Sequence, residues 1–340
     1  LEGTDWPPCP TFTAVRDGDL SEPAAATAGG PMPTPQAQAR SALDRYTRAF
    51  DESCFSRMDG VFSAFLIDAE RRELLIANDR YGLRPLYLLE FEGGLYWASE
   101  VKAFLEIPGF LPTVDQAAMT RFLSDGSFPA ARTWFEGVRL MEPATVIKID
   151  RSAQIVSEKR YWNWADLGTE PRIRGSFGEL KEELGRLFQQ AVDRRSLPGA
   201  RLGVTLSGGL DSRAIAAALA TRGTAFSCMT FGKPDCDDIT IARTVAQKIA
   251  APHRVLPLDD SNWFQPRIDG TWWTDGHFDL IHMHGVEHIG AFSEQFDVNL
   301  NGFIGDAFLG GSYLKNRDVC EFVKLYNRSR RFIRQGPLCT

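Results

Sequence analysis

Ser207-Gly208-Gly209-Leu210-Asp211-Ser212 constrains this chain more than any other stretch. Before it, Leu202-Gly203-Val204-Thr205-Leu206 is short, apolar and partly β-branched, the pattern of a buried strand. After it, Arg213 to Ala220 is alanine-rich and reads as a helix. A strand that turns through glycines into a helix aims backbone N–H groups and the positive end of the helix at one point, which favours an anion. Gly208 and Gly209 let the backbone approach a phosphate closely, and Ser207 and Ser212 add hydroxyl donors. Asp211 would repel a bare phosphate, but it suits a Mg²⁺ ion that in turn holds the phosphates. The spacing matches neither the Walker loop nor the Gly-x-Gly-x-x-Gly dinucleotide fingerprint.

The elements around this loop alternate. Ser176-Phe177-Gly178-Glu179 is a capping-box pattern ahead of Leu180, Leu184, Leu187, Phe188 and Ala191 at helical spacing. A strand over Ala225–Phe231, a helix over Asp238–Ala250 and a strand over Val298–Leu300 follow. Strands alternating with helices predict a doubly wound parallel sheet for this half. The first half has a different signature. Val61–Asp68, Glu73–Ala77, Leu86–Phe91, Leu95–Ser99, Thr145–Ile149 and Ile155–Lys159 are strand-like, with hairpin turns at Glu92-Gly93-Gly94 and Asp150-Arg151-Ser152-Ala153. Short helices are expected over Ser99–Leu105 and Asp115–Leu123. The boundary between the halves falls near residues 165–175. Residues 1–40 are rich in Pro, Ala and Gly and read as a flexible segment.

Composition narrows the function. A net charge of -6 argues against a general nucleic-acid surface, and Arg328, Arg330, Arg331 and Arg334 read as a solvated helix face. No apolar run approaches the roughly 20 residues that span a bilayer. The six cysteines show neither a C-x-x-C pair nor zinc spacing, as expected for reduced thiols in a cytoplasmic protein. The first ten residues lack the basic start and apolar core of a signal peptide.

Several stretches, taken in order, carry a resemblance. The loop itself resembles the Ser-Gly-Gly-x-Asp-Ser pyrophosphate-binding loop of the ATP pyrophosphatases. Ahead of it stand Met58-Asp59-Gly60-Val61-Phe62-Ser63-Ala64-Phe65, Asn78-Asp79-Arg80-Tyr81-Gly82-Leu83-Arg84-Pro85-Leu86-Tyr87, Ala98-Ser99-Glu100-Val101-Lys102-Ala103-Phe104 and Arg160-Tyr161-Trp162. After it comes Asn301-Gly302-Phe303-Ile304-Gly305-Asp306-Ala307-Phe308-Leu309-Gly310-Gly311. Over residues 50–315 this set resembles the asparagine synthetase family. That family joins an N-terminal glutamine amidotransferase domain to a C-terminal ATP-dependent synthetase domain.

The resemblance implies an α+β domain of layered antiparallel sheets over 41–168, amidotransferase-like, and an α/β ATP-binding domain over 172–340. It implies ATP and Mg²⁺ as cofactors, and a small carboxylate substrate joined to ammonia or an amine, without nucleic acid or membrane. A homodimer is among the assemblies it allows. Thr205, Ser207, Gly208, Gly209, Asp211, Ser212, Phe231, Asn301 and Gly302 fall on ATP-binding positions, and Asp211 and Asp306 on the two Mg²⁺ ligands. Asp237 and Asp238 occupy an acidic position after the second strand, and either hold metal or substrate or cap the helix before Ile239. His277, Asp279 and His284 fall where the family places substrate-facing residues. His284 and His288, four apart, are also spaced as a metal pair on one helix face.

Departures from the family pattern shape three readings. Leu1 stands where the amidase nucleophile, an N-terminal cysteine, is expected, so this half is expected not to release ammonia from glutamine. Phe303 and Ala307 replace glutamates, and the synthetase half ends earlier than the family's. The leading reading is an ATP-dependent amide-forming ligase of the asparagine synthetase type. A lactam- or peptide-cyclising relative with an inactive amidase is the second, and a nucleotide-binding pseudoenzyme or incomplete fragment is the third.

Overall fold

The computed structural model describes residues 20–21, 46, 53–56, 58–68, 71–163, 174–197, 199–278, 280, 282–303 and 305. Two compact units emerge: Leu1–Gly175 with Thr271–Asp279, and Ser176–Gly270 with Leu280–Thr340. Of the Pro/Ala/Gly-rich segment 1–40, only Leu20–Ser21 is described; as β1 it pairs antiparallel with β2 (Asp59–Gly60), beyond the turn of helix α1 (Ser53–Ser56).

The first unit stacks two antiparallel sheets. β3 (Ser63–Asp68), β4 (Glu73–Asn78), β8 (Thr145–Ile149) and β9 (Ile155–Arg160) form one, in the order β3-β4-β8-β9; β5 (Tyr87–Phe91), β6 (Gly94–Ala98) and β7 (Val138–Leu140) form the other, in the order β6-β5-β7. The two-residue period of a strand explains the stacking. Ile76 and Ile147 pack with Leu88 and Leu95 from the second sheet and with Leu86 and Met141, which flank its strands. Their neighbours Leu75, Ala77 and Val146 point the other way, onto Tyr46, Phe55, Met58 and Phe62. Tyr87 and Leu89 on β5 leave the shared core and are covered by Val101 and Phe104. The β5–β6 turn has positive φ at both Glu92 (49°) and Gly93 (77°), the twist that favours a two-residue hairpin.

Spacing predicted a helix over Ser99–Leu105; the chain instead makes a 3₁₀ turn over Val101–Glu106. Helix α2 (Gln116–Asp125) is capped by Asp115, whose carboxylate accepts from Ala118 N–H and pairs with Arg132. Asn78 and Asp79, within the motif that carries the family resemblance, are buried connectors. Asp79 accepts from the N–H groups of Phe62, Tyr81 and Leu83, while Asn78 bonds both ways to the Glu142–Thr145 turn. Segment Thr271–Asp279 joins this unit: the Asp275 carboxylate accepts from Val101 N–H (2.6 Å) and Lys102 Nζ (3.1 Å), and its carbonyl accepts from Trp134 Nε1 (2.7 Å).

The second unit is the doubly wound half. Helix α3 (Phe177–Arg195) starts at a complete capping box on Ser176 and Glu179. Strand β10 (Leu202–Thr205), helix α4 (Leu210–Thr221), strand β11 (Ser227–Gly232), helix α5 (Asp237–Lys248), strand β12 (His253–Pro257), helix α6 (Phe264–Trp273, whose residues from Thr271 on belong to the first unit), helix α7 (Ile289–Gln295) and strand β13 (Val298–Leu300) follow. All four strands are parallel, in the order β12-β11-β10-β13. The core joins Leu202, Val204 and Leu206 to Ala216 and Leu219 of α4, Ala242 and Ala246 of α5, and Val192 of α3. On α3 the expected apolar stripe is only partly used: Phe188 packs on this core, but Leu180, Leu184 and Leu187 stay exposed. At mid-strand the absent side chain of Gly203 is filled by the Phe296 ring; a Cβ there would lie 2.2 Å from Phe296 Cγ.

Candidate active site

The order β12-β11-β10-β13 reverses direction at β10, with β11 on one side and β13 on the other. Crevices at the carboxyl ends of strands at such a reversal are where open α/β sheets take ligands. Residues 206–209 leave β10 at that point and enter α4.

The loop is stapled to itself. Ser207 N–H donates to Ser212 Oγ (3.0 Å), Gly209 N–H donates to Ser207 Oγ (3.2 Å), and the two hydroxyls lie 3.0 Å apart. Ser212 is buried, so its hydroxyl serves inside the turn. Gly208 N–H donates to Asp238 Oδ1 at 2.7 Å. A Cβ on Gly208 would lie 2.8 Å from that oxygen and 3.1 Å from Ile241 Cδ1. The first turn of α5 therefore demands glycine at this position. Gly209 caps α4 with no side-chain acceptor for the first-turn N–H groups.

Segment 301–305 closes on the same helix start. A Cβ at Gly302 would come within 2.5 Å of Asp211 Cβ and 2.9 Å of Ser212 N, and one at Gly305 within 2.9 Å of Asp211 Oδ2. Asn301 Oδ1 accepts from Phe303 N–H and turns the backbone, leaving the Phe303 ring 83% exposed. Thr205 is tied to β13, its N–H and hydroxyl both donating to Asn299 Oδ1 (3.1 and 3.0 Å). Below the loop, Thr230 Oγ1 donates to Leu206 O (2.6 Å) and so accepts from His253 Nε2 (2.8 Å), which fixes the proton of neutral His253 on Nε2. Burial holds the His253 pKa below its ordinary value, with the Arg243 charge adding to the effect.

The fold thus brings Thr205, Ser207, Gly208, Gly209, Asp211, Ser212, Asn301 and Gly302 to one end of the parallel sheet. Phe231, near the end of β11, packs edge-on to Phe292 and against the backbone of Gly285. Asp306 and Asp279 lie outside the described residues. His277 belongs to the first unit, where it stacks on Tyr87 (5.5 Å) and meets Phe128 edge-on (5.1 Å); its Nδ1 donates to Thr274 O. His284 is exposed. It does not share a helix face with His288, because Gly285 adopts φ 90° between them and a 3₁₀ turn follows. Among the described residues no group of three or more His, Cys, Asp or Glu side chains is arranged to hold a metal ion. The loop's contact with Asp238 and the anchoring of Thr205 by Asn299 are additions of the structure. An acid after β11 is visible in the sequence; nothing in the sequence marks Asn299.

Residues 41–162 match the family model of a glutamine amidotransferase domain, and residues 183–335 match that of asparagine synthase. The chain belongs to the asparagine synthetase family. Over 169 residues it is 28% identical to asparagine synthetase [glutamine-hydrolyzing] 3 of Bacillus subtilis, covering 49% of this chain and 26% of that protein. Over 240 residues it is 28% identical to the asparagine synthetase [glutamine-hydrolyzing] of Gallus gallus, covering 66% of this chain and 39% of that one. A protein named amidase chry2, from Gibberella zeae, is 26% identical over 290 residues, covering 76% of this chain and 42% of that one. The matched part thus spans about a quarter to two fifths of these relatives' length. In the family's terms, both expected layers are present: stacked antiparallel sheets first, a parallel sheet second. No helix among the described residues is long and apolar enough to cross a membrane.

Proposed function

We propose that this member of the asparagine synthetase family is an ATP- and Mg²⁺-dependent amide-forming ligase. The observation that carries the reading is the packing of Gly302 and Gly305 against Asp211, which puts two separate segments around one carboxylate at the start of α4. A carboxylate is a hard oxygen donor of the kind that suits Mg²⁺. Asp211 would hold that ion, with Asp306 as the second carboxylate. Bound there, Mg²⁺ would offset negative charge on the pyrophosphate leaving group.

The chain's own part is to bind and orient ATP. The N–H groups opening α4 face the phosphates, favoured by the helix dipole. Thr205 and Phe231, at or near the ends of β10 and β11, flank the adenine side. A substrate carboxylate oxygen attacks the α-phosphorus and the bond to the β-phosphate oxygen breaks. Pyrophosphate leaves and an acyl-adenylate remains. Ammonia or an amine then attacks the acyl carbon, AMP departs, and the nitrogen loses a proton. Asparagine is the product when aspartate is the acid.

One observation favours a second reading. The exposed Phe303 ring stands on the turn beside Asp211, and an apolar surface there suits an acid with an apolar body better than aspartate. A lactam- or peptide-cyclising ligase would use such a surface. Cys228 and Cys236 are free thiols, and burial raises the Cys228 pKa to about 11. That supports a reducing compartment, the cytoplasm. The test is AMP and pyrophosphate formation from ATP across a panel of acids. Aspartate-dependent AMP supports the first reading and AMP with apolar acids only supports the second. ADP and phosphate as products with every acid refute both.

A further inference from the structure

The three N–H groups of the loop, at Ser207, Gly208 and Gly209, each already have an acceptor: Ser212 Oγ, Asp238 Oδ1 and Ser207 Oγ. Two of these acceptors belong to the loop. Asp238 is the exception; it comes from the first turn of α5, thirty residues along the chain. The bond is short, 2.7 Å, as charge-assisted bonds to carboxylates are. The contact around it is tight as well, with the position of a Gly208 Cβ 3.4 Å from Asp238 Cα. With loop donors committed, the donors left for a phosphate are the first-turn N–H groups of α4, which Gly209 cannot cap with a side chain.

We infer that Asp238 is a positioning residue for the nucleotide's phosphates: by holding Gly208 N–H it fixes the loop so that phosphate is received at the start of α4. The inference rests on the ATP-binding reading above. Asp238 neither touches the nucleotide nor ligates the metal in this account. It sets where Leu210 and Asp211 begin the helix, and thereby where the phosphate-facing N–H groups and the Asp211 carboxylate stand. A shift of about 1 Å in such groups is enough to change rates about a hundredfold. An aspartate that only stabilised the α5 dipole would act on helix stability and leave the loop alone.

The test compares Asp238→Ala and Asp238→Asn with the parent chain. Glycine-selective ¹⁵N labelling follows the Gly208 amide and its hydrogen exchange; calorimetry with Mg²⁺ and ATP follows affinity; thermal unfolding follows stability. The asparagine carbonyl still accepts an N–H, so Asp238→Asn is expected to keep the Gly208 amide protected and its ATP affinity within about threefold of the parent. Asp238→Ala is expected to lose that protection and weaken ATP binding about ten- to a hundredfold, while remaining folded. The inference is overturned if Asp238→Ala frees the Gly208 amide yet binds ATP like the parent, or if it lowers thermal stability alone. A parent chain that shows the Gly208–Asp238 bond but binds no ATP would refute the nucleotide reading itself, an outcome distinct from either.

Discussion

Replacing Gly203 by alanine puts the packing of the parallel sheet to a direct test. The added Cβ would stand 2.2 Å from Cγ and Cδ2 of Phe296 and 2.4 Å from Cδ1, so the ring has to retreat by more than 1 Å to reach ordinary contact. Phe296 is buried with Met229 and Leu256, and Phe292 packs beside it. Overpacking of this kind costs about 1–3 kcal/mol. Phe296→Ala alone should cost about 3–5 kcal/mol through the lost ring and its cavity. In the double variant the clash is gone, and Gly203→Ala should then be neutral or even stabilising by about 0.5–1 kcal/mol, because alanine loses less backbone entropy than glycine in a strand. The coupling energy expected is therefore about 1–4 kcal/mol in the direction of rescue. Urea unfolding of the four proteins, followed by circular dichroism, measures it from midpoints at constant slope. If the two single costs simply add in the double variant, the Phe296 ring does not occupy the Gly203 gap and the described packing of β10 is wrong.

Two further outcomes concern the first unit and the half-buried histidines. Asp275 accepts from Val101 N–H, Lys102 N–H and Lys102 Nζ with its side chain 8% exposed; Asp275→Ala should cost about 2–3 kcal/mol of that unit's stability. Asp275→Asn should cost less, since asparagine keeps one acceptor and tolerates the φ of 51° found there; equal losses in calorimetric unfolding would rule out the hydrogen-bonding account. His253, His277 and His288 are all held below the ordinary 6.5 by burial, their largest effect. The unfolded chain therefore takes up protons before the folded one as pH falls through 6.5. Stability from these groups is complete above that value and declines below it. Urea midpoints between pH 5.5 and 7.5 should fall toward the acid end, and a rise would contradict the burial of these rings.

Much of the architecture was legible because local signals and tertiary packing agree. The capping box at Ser176 and Glu179, the Glu92-Gly93 hairpin and the β-α alternation around the loop all form as patterned. Three kinds of feature escaped. Strand β7 is three residues long and β12 carries His253 and Arg254, so neither shows an apolar period. The exposure of Leu180, Leu184 and Leu187 was hidden because spacing defines a stripe and says nothing about what covers it. At the site, glycine and serine identities suggested a phosphate cradle, yet Gly208 makes room for α5, and both hydroxyls are used within the turn. Such roles depend on contacts between residues far apart in sequence, as Gly208 with Asp238, or Gly302 with Asp211, which no local pattern encodes.

In the proposed function the loop after β10, with Asp211 and the turn that carries Gly302, binds ATP through Mg²⁺. Isothermal calorimetry with ATP, with and without Mg²⁺, on the parent chain and on Asp211→Asn tests it most directly. One Mg²⁺-dependent site is expected on the parent, with affinity at least about tenfold weaker in a folded Asp211→Asn, whose amide is a poorer metal ligand. Equal affinity in the two proteins, or binding indifferent to Mg²⁺, would contradict it.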